Sequence, residues 1–177
     1  VPTETEQIEL SDDELREITG YAADCARRVL SVFEQELPAD TRPREAIEGA
    51  DAFAAGERRT TALRQSAWAA YKAAKEAESP AVAAAAWSAS HAAAAAFLHP
   101  KASPHQVKHI VGAAAHAARA EELVAGDDPR VAAETLEWAR RHAPAAVGAV
   151  LGRLPAAPSG DGRVGEFIRD LDAALRA

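Results

Sequence analysis

The chain has 177 residues and a mass of 18.6 kDa, with a formal charge of −7 and a pI near 5.4. That acidic balance argues against a general nucleic-acid or anionic-membrane surface, which needs a basic face, and leaves a basic protein partner open. Its single cysteine, Cys25, excludes an intrachain disulfide and a cysteine zinc cluster. Alanine dominates the apolar fraction and aromatics make up 5%, so each helix buries little area and a core needs many helix contacts.

In chain order, residues 1–10 read as a flexible acidic tail. Ser11 with Glu14 three residues on forms a capping box, and Leu10 can staple onto Leu15. Leu15, Ile18, Ala22, Cys25, Val29 and Val32 then recur at three- and four-residue steps, which predicts one long amphipathic helix through Phe33 and Leu37 to Pro38. Pro43 opens a second helix through Ile47 and Phe53 that stops at Gly56. Thr60 or Thr61 caps a third, with Leu63, Ala67, Ala70, Tyr71 and Ala74 on one side.

Ser79-Pro80 ends the third helix and opens the fourth, Ala81 to Leu98; Ser103-Pro104 opens the fifth, to about Ala125. These two alanine-rich segments can be approached closely from several sides and are expected at the centre. Asp128 caps a sixth helix starting at Pro129, and a short seventh runs through Val147, Val150 and Leu151. Residues 155–162 are rich in Pro and Gly and read as a linker. Val164, Phe167, Ile168, Leu171 and Leu175 give residues 163–177 an amphipathic helix expected to dock on the core of residues 11–154. The expectation is an all-α, single-domain bundle of about seven or eight helices, largely antiparallel neighbours, with no strand. Neither a signal peptide nor a span of membrane length is visible, so a cytoplasmic address without membrane contact is expected.

The sharpest constellation is the histidine stripe of the fifth helix. At 100° per residue His105, His109 and His116 fall within roughly 40° of one another, opposite Val107, Ile110 and Val111. The stripe therefore faces solvent or a second interface. His105 and His109 have the spacing for sharing one metal ion. However, the segment reads His-Gln-Val-Lys-His with no Glu, Lys108 and Arg119 flank it, and His116 is almost two turns away, so no metal or cofactor is expected. His91, four residues from Trp87, reads as a core histidine held by a hydrogen bond.

Arg58, Arg59 and Arg64, with Arg42 and Arg44, are interleaved with Glu45, Glu48, Asp51 and Glu57, which predicts intramolecular ion pairs. Trp68, Trp87 and Trp138 are expected in the core. Glu121, Glu122, Asp127 and Asp128 make an acidic end to the fifth helix. There is no phosphate-cradling Gly-rich loop, no Gly-x-Ser-x-Gly elbow and no Glu-x-x-His pair for a di-iron site.

Several stretches carry a family resemblance: Glu14 to Thr19, Arg42 to Glu48, Ala89 to Ala94, Phe97 to Pro100, Gln106 to Ala114, and Gly162 to Val164. Through them the chain resembles actinobacterial immunity proteins with an immunity-five-like (Imm-5-like) domain. The resemblance implies a role in a polymorphic-toxin system, binding and blocking a cognate toxin without catalysis. Candidate binding residues are then His91, His105, His109 and His116 together with Glu121, Glu122, Asp127 and Asp128, the acidic group meeting a basic toxin. A homodimer is compatible with an alanine-lined surface helix. Two other readings stay open: a small-molecule sequestering protein with a pocket between the central helices, and a metal-dependent enzyme using His105 and His109.

Overall fold

A computed structural model describes residues 6–177 and contains, among them, nine α-helices and no strand. These are α1 (Asp12–Arg27), α2 (Leu30–Glu36), α3 (Arg42–Ala54), α4 (Thr61–Glu76), α5 (Pro80–Ala95), α6 (Val107–Val124), α7 (Pro129–His142), α8 (Ala145–Leu151) and α9 (Gly162–Arg176). A single 3-10 turn, Pro104–Gln106, leads into α6. The sequence leads one to expect a single helix from Ser11 to Leu37, and the chain instead breaks at Arg28 and Val29. There the hydrogen bonds tighten to three-residue spacing, Val29 N–H to the Ala26 carbonyl at 3.1 Å and Val32 N–H to the Val29 carbonyl at 3.0 Å. The break has a packing reason. Leu15 through Ala26 face the main core, whereas Val29 and Phe33 turn into a second cluster with Ala73, Val82 and Ala117.

α5 is apolar all round, with Val82, Ala84, Ala85, Ala86, Ala89, Ala92, Ala93 and Ala95 buried, and it is enclosed by α1, α2, α3, α4 and α6. A helix without a polar face belongs in the interior. Its two small hydroxyls are satisfied by its neighbours: Ser88 donates to the Ala113 carbonyl of α6 at 2.7 Å, and Ser90 to the Ala67 carbonyl of α4 at 2.8 Å. The pairings run in opposite chain directions. Ser90 meets Ala67 while Val82 clusters with Ala73 and Ala74, so α4 and α5 are antiparallel; His91 meets Gly112 while Trp87 meets His116, so α5 and α6 are too.

The remaining elements close the bundle. Residues 1–5 of the expected tail lie outside the described residues. Glu6 to Glu9 runs along the loop after α5, with Ile8 N–H on the Pro100 carbonyl at 3.1 Å and Gln7 bridged to Lys101. α9 buries Phe167, Ile168 and Leu171 in the main core. The segment before it is tied to α9: Arg176 donates to the Leu154 and Pro155 carbonyls, and Asp172 accepts from Ala157 N–H at 2.9 Å. No helix among the described residues is long and apolar enough to cross a membrane.

Candidate functional site

α4 presents Trp68 and Tyr71 one turn apart, α5 presents Trp87 and His91, and α6 presents His109 and His116 two turns apart. Antiparallel packing lines these up as one row of six rings. Trp68 stacks on Tyr71 at 4.9 Å, Tyr71 meets Trp87 edge-on at 5.0 Å, and Trp87 stacks on His116 at 5.7 Å. His116 stacks on His91 at 5.0 Å, and His91 lies 6.3 Å from His109. Spacings in this range are those of favourable aromatic pairs. The close approach depends on Gly112: a Cβ there would sit 2.8 Å from His91 Nδ1.

The stripe of His109 and His116 is half-buried, packed against His91 and Trp87 of the neighbouring helix. His105 stands apart on the 3-10 turn, exposed. The hydrogen bond expected for His91 is also absent. Its Nδ1 is buried without a partner, as is Nδ1 of His109. Burying an unpaired charged N–H is costlier than burying a neutral ring, which favours the neutral form of both. Burial pushes all three titrations down. His91 falls well below the usual imidazole range, through desolvation and then the neighbouring His116, His109 and Lys108. His109 is lowered by desolvation, Lys108 and His99, and desolvation brings His116 to about 4 despite the opposing pull of Asp161. Among the described residues no group of three or more His, Cys, Asp or Glu is placed to hold a metal ion.

Trp68, expected in the core, is 58% exposed. The signal was present in the α4 sequence: Trp68 shares its helical azimuth with Thr61, Arg64, Gln65, Lys72 and Lys75, opposite Leu63, Ala70 and Ala74. It forms the wall of an open groove of about 730 Å³ that Arg64, Tyr71, Lys72, Ser90 and Ala94 also line. Of the cations lining it, Arg42 is paired with Asp40 and Glu76, whereas among the described residues Arg64 and Lys72 have no carboxylate within salt-bridge distance. Lys72 and Lys75 lie over the Trp68 and Tyr71 rings at 5.8 Å, and Arg64 and Arg59 over Phe97 at 4.6 and 5.5 Å. The ion pairing expected of the arginine cluster occurs at Arg42, with Asp40 and Glu76, and at Arg44, with Glu34. Arg59 and Arg64 turn onto Phe97 instead.

The acidic group is committed within the molecule. Glu121 is bound by Arg28 at 2.7 Å and accepts from the Thr135 hydroxyl. Glu122 is 1% exposed and is held by Arg119 and by Arg163 of α9. Burial alone would raise its carboxyl, and hydrogen bonds from Arg163 and Arg119 outweigh that to hold it below the usual carboxylate range. Asp127 pairs with Arg119 at 2.7 Å, and Asp128 caps α7 by accepting from Arg130 N–H at 3.0 Å. Cys25 is buried and its thiol pushed up to about 12 by desolvation, an inert environment.

A comparison with protein-family models matches residues 9–146 to the family described as Imm-5 like putative immunity protein. The chain belongs to this family. The match covers α1 through α7 and the start of α8, and so contains every ring of the aromatic row, while α9 and its Arg163 lie beyond it. Neither the curated proteins nor the solved structures yielded a match. Membership of the Imm-5 like family gives the chain a general immunity role.

Proposed function

We propose that this protein neutralises a toxin by binding it one to one, with the α4–α6 face as the contact surface and no chemistry of its own. The observation that carries this reading is Trp68, a large aromatic 58% exposed on a rigid helix, inside a family defined by immunity. Exposed aromatic anchors beside arginine are the groups that dominate protein interfaces. The absence of chemistry rests on the site itself. The three histidines are neutral, and their buried Nδ1 atoms at His91 and His109 meet no carboxylate that would orient a base.

The test is survival. Cells producing the cognate toxin domain should live when the protein is co-produced, and the two should elute together as a one-to-one complex in light-scattering chromatography. Trp68→Ala should weaken that complex by about 2 kcal/mol or more, roughly thirtyfold, while leaving the thermal unfolding curve in place. Cell death despite equal expression would remove the immunity reading for this toxin.

The groove beside Trp68 supports a second reading, sequestration of a small anionic aromatic compound, because apolar walls and free cations meet there. Trp87 and His91 themselves are packed against His116, so such a compound would lie on the α4 flank rather than between α5 and α6. Quenching of Trp68 fluorescence by indole-3-acetate at micromolar concentration would favour it.

A further inference from the structure

We infer that the α4–α6 face is built for an acidic partner segment, with carboxylates over Arg64, Lys72, Lys75 and Lys108 and an apolar side chain lodged beside Trp68. This rests on the immunity reading for the partner's identity as a toxin and adds its chemistry, which is opposite to what the net charge suggests.

The argument is one of charge segregation. Between Arg58 and Ala120 the sequence holds eight Lys or Arg and two carboxylates, Glu76 and Glu78; the rest of the chain holds 12 Lys or Arg and 25 carboxylates. All four lysines fall in the first group. Glu76 is neutralised by Arg42 at 2.7 Å. Elsewhere most basic groups are paired off, as Arg27 is with Asp24 and Asp51, Arg153 with Glu14 and Arg176 with Asp172, while Arg16 and Arg169 donate to backbone carbonyls. On α4–α6 Arg119 is paired, with Glu122 and Asp127, and the other cations are not. Among the described residues Arg64, Lys72, Lys75 and Lys108 have no carboxylate within salt-bridge distance, and α5 contains none at all.

Unpaired cations set around exposed aromatics accept carboxylates and apolar side chains together. The histidines extend the platform without adding charge, because burial keeps them neutral. A nucleic acid would offer the same complementarity of charge and stacking. Its phosphates run on past the face, however, and meet the acidic remainder of the molecule, whereas screening over about 8 Å at physiological salt confines a compact acidic segment to the local field.

The test uses the full chain and a short dye-labelled peptide of alternating Glu and Trp, read by fluorescence anisotropy. An alternating Lys and Trp peptide and an oligothymidylate of the same charge as the acidic peptide are the comparisons. The acidic peptide should bind at least about tenfold tighter than either, weaken as salt rises, and lose about tenfold in affinity in the R64E/K72E/K75E variant. Glu17→Lys, on the exposed side of α1, should leave it unchanged. Should the triple reversal fail to fold, as judged by its helical circular dichroism, the K72A/K75A variant carries the same prediction at about threefold. Equal binding of the two peptides, or no binding of either, would overturn the inference; oligothymidylate bound as tightly as the acidic peptide would reassign the face to nucleic acid. The survival assay reads neutralisation whichever face is used. Survival without peptide selectivity therefore moves the docking surface elsewhere, and selectivity without survival removes the toxin reading alone.

Discussion

The His91 ring lies on the bare backbone of Gly112, with its Nδ1 where a Cβ would approach to 2.8 Å. The ring has no free direction to yield, being stacked on His116 at 5.0 Å and tilted against Trp87 at 6.2 Å. Gly112→Ala should therefore destabilise the protein by about 1–2 kcal/mol, the helix-propensity gain of about 1 kcal/mol being outweighed by overpacking. Chemical denaturation of Gly112→Ala, His91→Ala and the double variant checks this: the double variant should be more stable than the sum of the single losses. The same rings set a pH dependence. His116 is lowered to about 4 in the folded state, so below the unfolded value near 6.5 the unfolded chain binds the proton first. The stability associated with it is complete above pH 6.5 and is lost as pH falls through 4, ~3 kcal/mol over the window for a shift of this size. Stabilities from urea unfolding at pH 7 and pH 4.5 should differ by at least this much, and His116→Gln should reduce the difference, the lowered His91 and His109 supplying the remainder. Glu14, held at about 2 mainly by Arg153, loses its contribution only at lower pH, which separates the two effects.

At the scale of elements, α9 is fixed to α6 by more than apolar contact. Arg163 near its start reaches Glu122, which is 1% exposed near the end of α6, and Arg119 completes the pairing. Removing one partner of a buried pair leaves an uncompensated charge, worth roughly 3–5 kcal/mol when no other partner remains. Because Arg119 does remain, Arg163→Ala should cost about 2–3 kcal/mol in denaturant unfolding, and hydrogen exchange should show α9 amides opening faster than those of α5. An unchanged exchange pattern would mean that Phe167, Ile168 and Leu171 alone hold the helix. The break between α1 and α2 is the other element-scale device. It turns Phe33 toward Val82 and frees Arg28 to pair with Glu121 and lie over Trp138 at 4.8 Å.

For the whole molecule, the proposed docking face predicts that the uneven charge governs association. Complex formation with the toxin should slow as salt is raised from low to physiological ionic strength, because exposed charges act through a screened field. Stopped-flow association rates check this, and a rate independent of salt would place the contact on uncharged surface. Dissociation should change little with salt if Trp68 sets the residence time.

Much of this molecule follows from local chemistry, and so it is legible in one dimension. The capping box of Ser11 and Glu14 forms as its spacing dictates, at 3.0 and 3.1 Å. Proline and glycine bound the helices, and the alanine content of α5 specifies an interior helix. The azimuths of His109 and His116 were also readable, since periodicity gives the direction in which a side chain leaves its helix. Periodicity does not say what stands opposite. That His91 of one helix and His116 of the next stack, that Nδ1 of His91 goes without a partner, and that Gly112 makes room for it follow from the antiparallel register of α5 on α6. The ends of the chain were similarly undecided: Glu122 and Arg163 are 41 residues apart and meet only once α9 folds back. Sequence by itself determined most helices and most of their faces, though neither the break at Arg28 and Val29 nor the exposure of Trp68. Tertiary packing decided which faces meet, and with them which charges are spent inside and which, around Trp68, stay unpaired.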